Sequence, residues 1–192
     1  MNKRSFLLYG ASLAAAAGLN TACSTTRGAS GSPSAQRHEI DAAVESSLAR
    51  LFKENASARE LVASAKGVLV FPNFVSAGFI VGGASGTGAM RKGGKSSGYF
   101  RMTEASVGFL AGAQSQGVFI LFMTDAALKS FEASSGWTAG VDGSITMFKV
   151  GASASVSTQT AQQPIIGFVL TNGGLMGSLS LSGSRITPLT FN

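Results

Sequence analysis

One histidine, His38, and one cysteine, Cys23, limit the chemistry open to this 192-residue chain. A transition-metal site of imidazole and thiolate needs more such ligands than the chain holds. A Ser-His-Asp relay would have to run through His38, which stands at the start of the folded region. The carboxylates Glu104, Asp125, Glu132 and Asp142 are scattered, with no spacing that sets two of them across a scissile bond. One stretch, Ala89-Met90-Arg91-Lys92-Gly93-Gly94-Lys95-Ser96, imitates a phosphate loop with alanine in the first glycine's place, and Val118–Met123 ahead of Asp125 imitates its acidic partner strand. A phosphate loop must open a helix, so that its amides and the helix end face the anion. Here Ser97-Gly98-Tyr99-Phe100-Arg101-Met102 follows, which reads as strand, so the stretch is expected to be a glycine-rich hairpin tip. No catalytic residue, metal ligand set or cofactor is expected, and the chain reads as a non-enzyme.

The same residues suit binding. Arg91, Lys92 and Lys95, with Arg101 nearby, form the densest basic cluster, and Lys66 and Lys53 are lesser candidates. Beside an anionic bilayer each such residue contributes about 1 kcal/mol, so a few of them hold a protein that is already tethered. A solvated, solubilising loop has the same composition. The formal net charge of +6 falls to +4 without Lys3 and Arg4, and aromatics do not interleave the basic residues, so nucleic acid is not an expected partner.

The amino terminus has the layout of an export signal: basic Asn2-Lys3-Arg4, an apolar run from Phe6 to Leu19, then small residues up to Ala22. The apolar run is shorter than the roughly 20 residues that a membrane span needs. Leu19-Asn20-Thr21-Ala22-Cys23 resembles a lipobox, in which cleavage precedes a lipid-modified cysteine, although Asn20 stands where leucine is usual. Ordinary cleavage after Ala22, leaving a free thiol, is the alternative. Ser24 in place of aspartate resembles the sorting pattern of the outer membrane, so the expected location is its periplasmic face. Residues 1–22 are thus a signal peptide and residues 23–37 a lipid-anchored flexible tether rich in Ser, Gly and Thr. Residues 38–192 form one domain.

Within that domain Ile40, Val44, Leu48 and Leu51 recur at helical spacing over Glu39–Lys53. Such a stripe packs on a sheet or lies on a membrane, and the mixed charge of its polar face favours packing. Ser57 and Glu60 have capping-box spacing for a short second helix that ends before Gly67. Short apolar runs at 67–71, 74–81, 98–102, 107–113 and 117–123 read as strands. A helix follows with Asp125 as N-cap and Gly136 at its close. Strands resume at 141–151, 154–158, 165–171 and 175–183. A glycine followed by an aromatic recurs at Gly78-Phe79, Gly108-Phe109, Gly136-Trp137 and Gly167-Phe168, at spacings of 30, 28 and 31. It is either a repeated strand unit in which the aromatic covers the glycine or a coincidence in a glycine-rich chain. The expected fold is α+β: a glycine-rich, mostly antiparallel sheet able to curl towards a barrel, an N-terminal helical segment and one mid-chain helix.

Several stretches, in order, resemble the SYLF domain, particularly its bacterial exported lipoprotein branch. They are Ala65–Pro72, Gly78–Gly83, Gly98–Arg101 leading to Ser106–Gln114, Ser135-Gly136-Trp137, and Gly173–Thr187. Tyr99 stands where many members carry tryptophan. The resemblance implies an α+β domain that binds anionic lipid head groups, phosphoinositide-like or other, at a membrane surface. The alternative is a structural or protein-interaction lipoprotein with an envelope partner. Actin, bound by some eukaryotic members, is an unlikely partner for an exported protein.

Overall fold

The computed structural model describes residues 31–78, 81–107, 112–149, 162–174 and 181–191. The expected signal peptide, Cys23 and most of the expected tether lie outside these residues, as do the strand expected at 154–158 and the aromatic partners of Gly78 and Gly108. The described chain is α+β, as expected.

Helix α1 (Pro33–Glu54) begins inside the stretch read as tether, ahead of the Glu39 start expected from the apolar stripe. The reason is local. The Ser32 side chain accepts the Ala35 amide, and Pro33 at the first helical position has no amide to leave unpaired. Asn55 both ends α1 and caps α2 (Ala56–Ser64), accepting the Ala58 amide at 3.2 Å. That displaces the expected Ser57 box: Ser57 is already inside the helix. Likewise α3 (Asp125–Glu132) is capped by Thr124, which accepts the Ala127 amide at 3.2 Å, and Asp125 instead places its charge in the first turn, where the helix dipole favours it. The helix closes at Ala133 rather than at Gly136.

The strands are β1 (Gly67–Gly78), β2 (Val81–Lys92), β3 (Lys95–Val107), β4 (Gly112–Phe122), β5 (Trp137–Thr138), β6 (Thr146–Lys149), β7 (Ile165–Gly174) and β8 (Arg185–Pro188). They form one curled sheet in the order β5-β8-β3-β2-β1-β4-β7-β6, antiparallel except where β6 runs parallel to β7. Of the run expected as one strand over 107–113, Val107 ends β3 and Gly112 begins β4, and residues 108–111 lie outside the described residues. Over 141–151 the strand narrows to β6, because a tight turn at 138–143 comes first.

Both faces of the central strands are covered, which is why those strands read as unbroken apolar runs. Leu69, Phe71, Val118, Ile120 and Phe122 point to one face, where they meet Leu128 and Phe131 of α3 and Trp137. Val68, Val70, Phe119, Leu121, Ile166 and Phe168 point to the other, under Val44, Leu48 and Leu51 of α1 and Ala58 and Leu61 of α2. The α1 stripe therefore packs on the sheet. Each fully buried apolar side chain of this kind contributes about 1.5–3 kcal/mol.

Within β1 the alternation breaks once. Phe71 and Phe74, three positions apart, share the α3 face because β1 bulges at Pro72-Asn73, where its register with both β2 and β4 shifts. The bulge brings β1 backbone against β2. A Cβ on Gly88 would lie 1.9 Å from the Val70 carbonyl oxygen and 2.8 Å from the Phe71 ring. A Cβ on Gly83 would meet only the Glu104 oxygen, at 3.5 Å. Gly88→Ala is therefore expected to cost at least about 3 kcal/mol in urea unfolding, since neither obstacle is a free chain end. Gly83→Ala should stay within about 0.5 kcal/mol of the parent.

Candidate functional site

The basic cluster sits on the β2–β3 hairpin. Arg91 pairs with Ser96 and Lys92 with Lys95, leaving Gly93 and Gly94 as a two-residue turn. Both turn glycines have positive φ, +54° and +78°, as a turn matched to the strand twist requires. A strand follows the turn, so the phosphate-loop likeness has no helix behind it.

Neighbouring residues of the hairpin project to opposite faces, and each face supplies a carboxylate. Arg91 turns to the α1 face, where its guanidinium pairs with Glu45, donates to the Gly94 carbonyl and reaches the Ser96 hydroxyl at 3.4 Å. Lys92 turns to the α3 face and pairs with Glu132. The hairpin is thus held from above and below by one ion pair each. Lys95 is exposed at the tip.

Register decides where the other two candidates lie. Val68 of β1 faces Arg91, and the Lys66 amide donates to the Phe122 carbonyl at 2.8 Å, so exposed Lys66 shares the sheet end of Lys92 and Lys95. Arg101 faces Thr87 and Thr187 in the middle of β3. At roughly 3.3 Å per residue it is about 17 Å along the strand from Ser96. The structure therefore gathers Lys66, Lys92 and Lys95, ties Arg91 under α1, and leaves Arg101 apart.

Sequence reasoning missed the residues that organise this end. Asp41 accepts from the Ser96 hydroxyl at 2.6 Å and from the Tyr99 hydroxyl at 2.9 Å. Arg37, one turn earlier, lies 5.1 Å from the centre of the Phe191 ring, which packs edge-on against Tyr99 at 5.2 Å. Arg37, Asp41 and Glu45 recur every fourth residue on one side of α1, a spacing visible in the sequence once the helix is extended to Pro33. The other carboxylates also have structural duties. Glu104 accepts from Ser184 at 2.9 Å, and Asp142 accepts the Thr138 amide at 2.6 Å. His38 is exposed on α1. Among the described residues no group of three His, Cys, Asp or Glu could hold a metal ion, and no helix is long and apolar enough to cross a membrane.

Tyr99 holds its proton above the ordinary tyrosine range, first through burial, then through its hydrogen bond to Asp41 and that carboxylate's charge. The folded state keeps this proton to higher pH than the unfolded chain does. The resulting stability is whole below about pH 10 and is lost as pH climbs beyond it. Tyr99→Phe should cost about 1.5 kcal/mol at pH 7, the scale of a hydrogen bond to a charged acceptor. The variant should also lose less stability than the parent between about pH 10 and pH 11, as urea midpoints measured across that range would show.

Residues 103–190 match the family described as Ysc84: Las17-binding protein actin regulator. No curated protein is significantly similar to the chain. The matched segment runs from the second half of β3 through β4, α3 and the later strands to β8, and includes the α3-side core residues from Val118 to Ile186 but not Leu69, Phe71, Phe74, Met90 and Met102. On this match residues 103–190 carry a domain of the SYLF (Ysc84) family.

Proposed function

We propose that this protein is an exported lipoprotein, anchored through Cys23 at the periplasmic face of the outer membrane, whose SYLF domain binds anionic lipid head groups. The observation that carries the reading is the gathering of Lys66, Lys92 and Lys95 at one end of the sheet. Among the described residues, Lys66 and Lys95 have no carboxylate within ion-pair distance. Three lysines at about 1 kcal/mol each are worth about a hundredfold in membrane affinity, enough to orient a domain that the lipid anchor already keeps at the surface. Arg101, about 17 Å away along β3, is a secondary contact. Binding is favoured over catalysis because five carboxylates, Asp41, Glu45, Glu104, Glu132 and Asp142, each hold a structural partner.

A second reading, a lipoprotein that docks an envelope protein, is favoured by one feature. Val141 is 79% exposed on a turn fixed by Gly140, with φ +82°, and by the Asp142–Thr138 bond. The family's description as Las17-binding is likewise a protein interaction.

Vesicle co-sedimentation of the full chain, with phosphatidylglycerol and neutral phosphatidylcholine vesicles at low and high salt, tests the first reading. Anionic vesicles should bind more protein, and salt should remove the difference. Lys95→Glu and Lys66→Glu should each weaken anionic binding about tenfold or more. Because Glu132 competes with lipid for Lys92, Glu132→Gln should strengthen binding more than Glu60→Gln, which changes net charge equally. Equal binding to both vesicle types at low salt would sink the reading.

A further inference from the structure

A groove of about 140 Å³ lies where α1 crosses the β1 bulge, lined by Ala43, Ser46, Ser47, Arg50, Pro72 and Asn73. Its rim is built around Asn172 of β7. The Asn172 amide nitrogen donates to the Pro72 carbonyl at 2.8 Å, and it lies 3.2 Å from Asn73 Oδ1 and 3.3 Å from the Ser115 hydroxyl. Its oxygen accepts from Arg50 Nη1 at 2.6 Å. That bond fixes the guanidinium beside the groove and uses one of its five donors. Among the described residues Arg50 has no carboxylate partner.

The floor carries an unmet polar group. Ser47 is 4% exposed, and its hydroxyl has no hydrogen-bond partner among the described residues. It sits over Gly117, where a Cβ would come within 3.1 Å of the oxygen, and Gly117 is the β4 residue that faces the Pro72-Asn73 bulge. A buried hydroxyl without a partner is unfavourable, and a ligand atom in the groove would relieve it.

We propose that this groove receives one carboxylate side chain projecting from a partner protein. Size argues for a group and against a whole small molecule, because pockets that enclose a ligand are larger, roughly 300–1,000 Å³. Charge argues for an anion, and the single guanidinium selects among anions. Its free edge offers two parallel N–H donors, which match a planar monoanionic carboxylate, whereas a phosphate monoester near −2 would keep about half its charge uncompensated. Ser46 at the mouth and Asn73 at the bulge supply further polar contacts. The groove lies on the α1 face, apart from the lysine end, so the two sites can act independently.

The test uses the ¹⁵N-labelled full chain titrated with acetyl-tetraglutamate amide, a peptide whose only carboxylates are side chains. Saturable shifts are expected at the Ser46, Ser47 and Asn73 amides and at Arg50 Nε–H, with none from acetyl-tetraglutamine amide. Arg50→Gln should weaken binding at least about tenfold, and Arg50→Lys, which keeps the charge but loses the fork, at least about threefold. Ser46→Leu fills the mouth without touching the Arg50–Asn172 bond, so its loss of binding supports the site even if Arg50→Gln fails to fold. The proposal is overturned if millimolar peptide leaves these signals unmoved. It is also overturned if Ser46→Leu binds as the parent does, or if inorganic phosphate moves the signals as strongly as the peptide.

Discussion

The bulge at Pro72-Asn73 is the constraint on which most of the described structure depends. β1 is one of the two middle strands of the sheet, and an extra residue there changes which face every later side chain meets. It places Phe71 and Phe74 together in the α3-side core. It presses β1 backbone against β2, so that Gly88 and Gly86 can carry no side chain: a Cβ on Gly86 would stand 2.7 Å from the Asn73 carbonyl oxygen. It also aims the Pro72 carbonyl away from the ladder, where Asn172 meets it at 2.8 Å. Proline suits the site because it has no amide to leave unpaired at a broken register.

Covering both faces of the sheet has an electrostatic consequence at its end. Residues next to each other on a strand must point to opposite faces, so adjacent Arg91 and Lys92 cannot share one surface. Each is met by a carboxylate of the helix on its own side, Glu45 of α1 or Glu132 of α3. What remains free is set by topology: Lys95 at the turn, and Lys66 where the chain enters β1. A cluster that is contiguous in sequence thus becomes a split pair plus a neighbour from another strand.

The fold class, the antiparallel hairpins and the packing of α1 were legible because they rest on apolar periodicity, which Ile40, Val44, Leu48 and Leu51 keep on one face. Strand β2 was not. Its Gly-Gly-Ala-Ser-Gly-Thr-Gly run is shaped by the backbone of β1 and offers no alternation of side chains to read. The caps slipped by one or two residues, because Asn55, Ser57, Thr124 and Asp125 are all competent caps and packing chooses between them. Lysines and arginines could be counted in the sequence, but their neutralisation could not. Glu45 and Arg91 are separated by most of two helices and two strands, and only the crossing of α1 over the hairpin joins them.

The family match and the charged end fall on different parts of the chain. Residues 103–190 include the α3-side walls Val118, Ile120, Phe122, Phe131 and Ile186, so the match describes a scaffold. Lys66, Lys92, Lys95, Asp41 and Glu45 all precede it in sequence. A scaffold held by about 1.5–3 kcal/mol per buried side chain tolerates changes at an exposed strand end, where each charge is worth far less to folding. Surface charge can therefore change at the α1–hairpin junction without disturbing the core. Tyr99 ties the two together: it is part of the hairpin, packs perpendicular to the Phe191 ring, and donates to Asp41 on α1. The Tyr99–Asp41 bond and the Arg91–Glu45 pair thus fasten the same side of α1 to the same hairpin, one helical turn apart.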